Sequence, residues 1–176
     1  FTEKSIQVSE ASGRFLGGPF AISGGSGRGG DLTLIARGAF TVEALETLVD
    51  PSWRGLLKGS APYTATILSR GKRPMRVIVE STLAGVASEL PPPLDKAAAT
   101  ALPLRVAMVA GEGTERTFIT LGSVLRAELL RRGGDGKPLE RAAIAFNPPQ
   151  GGRLRMPEER GTVLAFLPQA TRERYW

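Results

Sequence analysis

Apolar and polar residues alternate along most of the chain. In ALPLRVAMVAG, Leu102, Leu104, Val106 and Met108 share one parity while Arg105 and Ala107 take the other, the pattern of a strand with one apolar face. The same alternation runs through Met75, Val77 and Val79 in PMRVIVEST, and through Ile119, Leu121, Leu125 and Leu129 in TFITLGSVLRAELL. It recurs at Ala142, Ile144 and Phe146 in RAAIAFN and at Val163, Ala165 and Leu167 in TVLAFLP. Weaker versions occupy Tyr63, Ala65 and Ile67 in PYTATILS and Leu32, Leu34 and Ala36 in DLTLIARG. Turn signals separate these runs: Arg70-Gly71-Lys72, Gly111-Glu112-Gly113, Gly133-Gly134-Asp135-Gly136 and Pro148 to Gly152. Intervals this short predict antiparallel meander connections, and no crossover helix long enough for a parallel sheet is visible.

Two short helices interrupt the alternation. Thr41 can cap TVEALETLV, which places Val42, Leu45, Leu48 and Val49 on one face before Asp50-Pro51 ends it. About two turns cannot stand alone in water, so this helix must lean on the sheet. The stretch STLAGVASELPPPLD halts a strand at Pro91, Pro92 and Pro93, because proline fixes φ and donates no backbone N–H. Leu94 to Leu102 (LDKAAATAL) is rich in helix formers and reads as a second short helix. The alternative is a proline-rich linker between two domains, but apolar alternation resumes at once, so the elbow joins two parts of one sheet. The expected fold is mainly β: an antiparallel, strongly twisted or groove-like sheet with one or two short helices packed on it. It is expected as a single module over residues 1–176, and a chain beginning at Phe1 is expected to be a fragment of a longer protein.

Composition narrows the chemistry. Hydrophobic residues make up 41 % of the chain and aromatics only 6 %, enough aliphatic surface to form a core and too little for an aromatic-rich nucleic-acid platform. The 22 glycines and 13 prolines favour short strands and turns over a helical fold. With no cysteine and no histidine, thiolate chemistry, Ser-His-Asp or Cys-His catalysis and imidazole metal ligation are excluded; only carboxylates, Lys or Ser-Lys could carry an enzyme reaction. The net charge of +6 favours anionic partners, yet the basic residues fall at turns (Arg70, Lys72, Arg73; Arg131, Arg132, Lys137; Arg153, Arg155, Arg160), where charge commonly serves solubility. The terminal Arg-Glu-Arg-Tyr-Trp is a lone Arg/aromatic cluster, and no nucleic-acid partner is expected. No run approaches the roughly 18 apolar residues of a membrane span, and no signal peptide is present.

Three motifs are weighed and set aside. GGSGRGG contains a G-x-G-x-x-G at Gly25, Gly27 and Gly30 with Asp50 downstream, but a dinucleotide site needs a helix to follow, and DLTLIARGAF reads as a strand. A hairpin loop is the expectation there, with no cofactor. Ser69-Arg70-Gly71-Lys72 spells S-x-x-K, a spacing that works on a helix, whereas Gly71 places it in a turn. Glu43 with Glu46, or Glu158 with Glu159, would serve hydrolysis only if two carboxyls faced across a cleft. The chain is therefore expected to be non-enzymatic and to hold no metal.

The central stretch resembles the YhdP family of AsmA-like proteins. The matching positions are Ser81, Leu83, Gly85, Leu90, Pro91, Pro93, Leu94 and Lys96, followed by Pro103, Leu104 and Val106. Further similar segments are Gly38, Phe40 and Leu45; Leu57, Gly59 and Tyr63; and Gly161, Val163, Leu167, Pro168 and Trp176. This resemblance, from about Gly38 to Trp176, implies a piece of a long envelope protein of a diderm bacterium, anchored in the inner membrane and extending through the periplasm. It further implies a bridge-like lipid transporter whose β-groove shields phospholipid acyl chains. Its implied partners are phospholipid, neighbouring repeats of the same chain and other envelope proteins.

The alternating face is where that function would lie. Val77, Val79, Leu104, Val106, Met108, Ile119, Leu121, Ile144 and Phe146 are the expected lipid-binding positions, or else the packed face of a closed core. An envelope scaffold that binds a partner by strand addition is the second expectation, and a carboxylate-dependent hydrolase of an envelope polymer the third.

Overall fold

The computed structural model describes residues 7–27, 31–48, 54–71, 73–111, 113–132, 138–149 and 154–166. Its elements run β1 (Gln7–Phe15), β2 (Gly17–Ser26), β3 (Leu32–Thr41), α1 (Val42–Leu45), β4 (Leu57–Ser69), β5 (Met75–Ser81), β6 (Val86–Ser88), β7 (Leu104–Gly111), β8 (Thr114–Leu121), β9 (Leu125–Arg132), β10 (Leu139–Phe146) and β11 (Gly161–Phe166). These strands form one sheet in the order β1-β2-β3-β4-β5-β7-β8-β9-β10-β11, with β6 beside the first half of β4. Among the described residues β1 does not pair with β11, so the sheet is open. The mainly β expectation holds.

Near-perfect register explains why the alternation reads so clearly. Ten consecutive pairs join β3 to β4 from Leu32↔Ser69 to Thr41↔Ser60, and eight join β8 to β9 from Thr114↔Arg132 to Leu121↔Leu125. A slip of one residue would turn every Val, Ile and Leu of a strand to the wrong face, so burial on either side of the sheet fixes the pairing.

One connection departs from the meander. β10 and β11 pair in parallel, from Arg141↔Gly161 to Phe146↔Phe166, so the sheet is mixed where an antiparallel one was expected. Residues 147–149 and 154–160 of the β10–β11 connection are described, and they contain no crossover helix. Arg126 donates to the Pro149 carbonyl at 3.4 Å and Arg141 to the Pro157 carbonyl at 3.3 Å, tying this segment to the sheet. Strand β11 also has the opposite parity to the one read from sequence. Leu164 and Phe166 stand beside Ile144 and Phe146, whereas Val163 and Ala165 face the other way; Leu167 lies outside the described residues.

The helices shrink. Thr41 caps α1 as expected, its hydroxyl accepting from the Ala44 N–H at 3.3 Å, but the helix spans only Val42–Leu45. Val42 is buried while Leu48 is 67 % exposed and off the packed face; Val49 and Asp50 lie outside the described residues. Leu94 to Leu102 forms no helix. Lys96 exchanges backbone hydrogen bonds with Ser88 at 2.8 and 3.0 Å, Gly85 N–H reaches the Ala98 carbonyl at 2.8 Å, and Leu102 N–H reaches Thr82 at 2.8 Å. Those long-range bonds take the groups that a nine-residue helix would need, and so short a helix has little stability of its own to oppose them.

Three strands and a turn had no clear signal. β1 (QVSEASGRF) is exposed over nearly its whole length, and β2 (GGPFAISGGS) is glycine-rich. Edge strands need not bury a face, so neither alternates cleanly. β6 is only three residues long. The run from Ile119 to Leu129 is two strands, not one: a tight turn, closed by Val124 N–H to the Leu121 carbonyl at 2.9 Å, brings Leu125 opposite Leu121.

The approach of β6 to β4 depends on two glycines. Gly59 and Gly85 have φ of +107° and +102°, and a Cβ on either would stand 2.1 or 2.2 Å from a carbonyl oxygen of the other strand. Gly85→Ala should therefore lose on the order of 2–3 kcal/mol through backbone strain and separation of β4 from β6. The measurement is the midpoint of urea unfolding followed by circular dichroism, and an unchanged midpoint would refute this account of the β4–β6 contact.

Candidate functional site: an apolar sheet face

Following the register across the sheet aligns the alternating residues into rows. One row contains Ala11, Ile22, Ala36, Ala65, Val79, Val106, Ile119, Ala127, Ile144 and Leu164, with no polar side chain over ten adjacent strands. A second row on the same face carries Leu34, Ile67, Val77, Met108, Leu129 and Ala142, interrupted by Thr117. A third carries Leu104, Leu121, Leu125, Phe146 and Phe166. All nine expected binding positions therefore share one face: Val79, Val106, Ile119 and Ile144 in the first row, Val77 and Met108 in the second, Leu104, Leu121 and Phe146 in the third.

The opposite face is mixed: one row holds Ile35, Thr66, Ile78, Ala107, Phe118, Glu128, Ala143 and Val163, and charge is concentrated in the next. Arg37, Thr64, Glu80, Arg105, Thr120 and Arg126 form one cross-strand row, with Glu80 and Arg105 ion-paired. Arg116 and Glu128 pair at 3.5 Å in the next strands. The returning segment passes over this face, where Leu154 meets Phe118 and Arg126 around a hollow of about 280 Å³. Small residues lie toward this end, and Ala143 and Ala145 are 2 % and 3 % exposed.

Burial separates a closed end from an open expanse. Phe40, Val42, Ala61, Tyr63 and Val86 form a compact cluster with Leu16, Leu45, Leu57, Ala65, Val79 and Leu83 against it. Among the described residues, helix α1 and the segment around residues 82–102 cover the apolar face here. The residues of the resembled signature build that cover. Ser81 Oγ donates to the Pro62 carbonyl at 2.7 Å and accepts from Leu83 N–H at 3.0 Å; the Lys96 ammonium donates to the carbonyls of Val86 and Ala97. All nine positions are half-buried, Val79 against this cluster and the other eight beyond it, and Leu164 and Phe166 are 55 % and 67 % exposed. Branched aliphatic residues in a closed core are commonly fully covered, and these are not, although Ala127 and Ala142 between them are buried. The Phe146 and Phe166 rings stack with centroids 4.6 Å apart at its edge.

Among the described residues, the motifs weighed in the sequence lie as follows. Gly25 and Gly27 lead into the β2–β3 connection, with Gly27 N–H bonded to the Asp31 carbonyl at 2.8 Å and strand β3 following; Gly30 lies outside the described residues. Ser69 ends β4 and Gly71 sits in the ensuing turn; Lys72 lies outside the described residues. Glu46 accepts from Gly55 N–H at 2.8 Å, while Glu43, Glu158 and Glu159 are exposed. A hollow of about 600 Å³ between Pro62, Glu80, Pro103 and Thr120 holds a single carboxylate, Glu80, already paired with Arg105. No group of three potential metal-ligating side chains occurs among the described residues.

The described residues thus form an open mixed sheet with apolar rows on one face, mixed charged and apolar rows on the other, and a compact cluster at one end. The profile of the YhdP protein family matches residues 1–171, and the chain belongs to that family of bacterial envelope proteins. The match reaches further toward the amino terminus than the quoted motifs, taking in β1 and β2. No curated protein and no solved structure matches the chain. No helix among the described residues is long and apolar enough to cross a membrane.

Two outcomes follow from the contrast between the closed end and the open face. Phe40→Ala should cost about 3–5 kcal/mol, as for a buried aromatic, whereas Val106→Ala should cost less than about 1.5 kcal/mol because its side chain is already partly in water; comparable losses in urea unfolding would mean that the face is a core. Burial also raises the Tyr63 phenol above its ordinary value. The folded state then holds that proton at pH values where the unfolded chain has released it, so stability falls as pH rises above the unfolded value of 10.0. Tyr63→Phe should flatten that alkaline decline in the melting temperature, and an unchanged slope would count against it.

Proposed function

We propose that this chain is a segment of a periplasm-spanning protein that shields phospholipid acyl chains along its apolar sheet face during transport between the inner and outer membranes. The parent protein is anchored in the inner membrane, and neighbouring repeats of the same chain continue the surface. The observation that carries the reading is the row from Ala11 to Leu164, ten strands without a polar side chain and with its middle residues half open to solvent.

The mechanism is passive burial. Each methylene moved out of water contributes roughly 0.8 kcal/mol, so an acyl chain is retained by area rather than by one side chain. A row of near-equivalent aliphatic positions makes the energy change between adjacent sites small, which favours sliding without a covalent step. On the reverse face the row Arg37, Thr64, Glu80, Arg105, Thr120 and Arg126 interrupts the apolar positions with charge, and the segment before β11 passes over part of it, which favours the uninterrupted row as the lipid-holding side. Histidine-free, cysteine-free chemistry suits a conduit of this kind, which requires neither a nucleophile nor a metal.

A second reading rests on β11. Its outer edge is unpaired among the described residues and Val163, Leu164 and Phe166 are exposed, which suits an envelope partner that adds a strand there.

The test is native mass spectrometry of the purified protein with organic extraction of bound lipid. Wild-type protein should carry phospholipid, and Val106→Asp with Ile119→Asp should lose it while circular dichroism reports an intact sheet. Lipid-free wild-type protein, or retention of lipid in the double variant, would overturn the acyl-shielding reading.

A further inference from the structure

The reverse face has a feature that shielding acyl chains does not use. At the end of the sheet where β4 turns into β5, Leu68, Arg70, Arg73, Pro74, Arg76 and Val109 enclose a hollow of about 350 Å³. Its lining has three guanidinium groups and no carboxylate. The turn is tightened by Arg73 N–H bonding to the Arg70 carbonyl at 2.9 Å, which holds the first two arginines close together. Arg76 stands three residues on, in register between Leu68 and Val109. Pro74 is seated against Gly111 of β7, where even a Cβ would come within 3.0 Å of its ring, so the turn is fixed to the next strand.

The charges are poorly neutralised. Arg70 meets Asp31 only at 3.9 Å, with both side chains more than half exposed. Such a pair is worth little and exchanges readily. Neither Arg73 nor Arg76 forms an ion pair with a described residue. Other arginines along the sheet contrast with them: Arg105, Arg116, Arg131 and Arg132 each face a glutamate. Three like charges held together repel one another, and an anion relieves that repulsion.

We propose that this notch binds a phosphate group. Guanidinium forks match phosphate oxygens in geometry, and a tetrahedral anion has enough oxygens to accept from three of them at once, whereas a carboxylate has two. The apolar floor of Leu68, Pro74 and Val109 suits the carbon side of a phosphate ester. The ligand is a phosphoester, presented either by a lipid headgroup or by a small soluble molecule. The notch lies on the face opposite the acyl rows and does not depend on lipid being held there.

The experiment measures co-sedimentation with phosphatidylcholine vesicles containing or lacking phosphatidylglycerol, and titration calorimetry with glycerol 3-phosphate, all at one low ionic strength. Arg73→Ala with Arg76→Ala should weaken binding to the anionic vesicles or to glycerol 3-phosphate about thirtyfold, at roughly 1 kcal/mol for each of the two basic side chains near an anionic surface. Arg155→Ala with Arg160→Ala removes the same charge from the returning segment and should leave binding within about twofold. Binding of glycerol 3-phosphate, and its displacement of the vesicles, identifies a small phosphoester as sufficient; vesicle binding that glycerol 3-phosphate does not displace identifies the headgroup in its membrane. Equal losses in the two double variants would reduce the effect to net charge and overturn the site, as would absence of binding to either probe. Lipid co-purifying with the Arg73→Ala, Arg76→Ala protein reports on the acyl face separately, so failure of one proposal is distinguishable from failure of the other.

Discussion

An extended sheet with apolar side chains in register on one face must either cover that face or leave it for something else. Among the described residues, the chain supplies cover for that face at one end. Helix α1 and the segment threaded through Gly85, Ser88 and Lys96 close over Phe40, Val42 and Tyr63, and the returning segment before β11 passes over the other side of the sheet. Everything distinctive about the structure follows from that uneven distribution of cover: the half-buried Val, Ile and Leu rows, the exposed Leu164 and Phe166, and the small residues beneath the returning segment.

The signature residues of the family acquire a physical meaning from this arrangement. Ser81, Leu83, Gly85 and Lys96 tie a knot. Ser81 joins β5 to β4 through the Pro62 carbonyl, Gly85 permits a backbone approach that a side chain would block, and the Lys96 ammonium bridges two carbonyls. Burial lowers the Lys96 pKa, because the ammonium gives up water for carbonyl partners. The open rows need only be aliphatic, and many sequences satisfy that. A knot tolerates fewer substitutions, which is a physical reason for the recognisable residues to cluster at the closed end and not along the surface.

The two faces divide the work by dielectric. Aliphatic rows present unbroken apolar area on one side, while on the reverse side Glu80 pairs with Arg105 and Glu128 with Arg116 across neighbouring strands. The departure from pairing at Arg70, Arg73 and Arg76 stands out for that reason.

Strand existence and facing were largely written in the local sequence. A period of two survives in β5, β7 and β10 because each is central and has one apolar side, so Val77, Val106 and Ile144 could be assigned to a shared face from parity alone. Where the rule failed, long-range contacts decided. β11 alternates apolar residues on both sides, and parallel pairing with β10 chose Leu164 and Phe166 over Val163 and Ala165. The alanine run after Asp95 has helical propensity, but its backbone groups found partners on Ser88, Gly85 and Thr82. Strands β1 and β2 bury too little to leave a pattern. The sequence by itself determined a β-rich chain without histidine or thiol chemistry and with nine aliphatic or aromatic positions of one parity. Only the tertiary structure decided that those positions line one open face, since register and cover are set by hydrogen bonds between residues far apart in the chain.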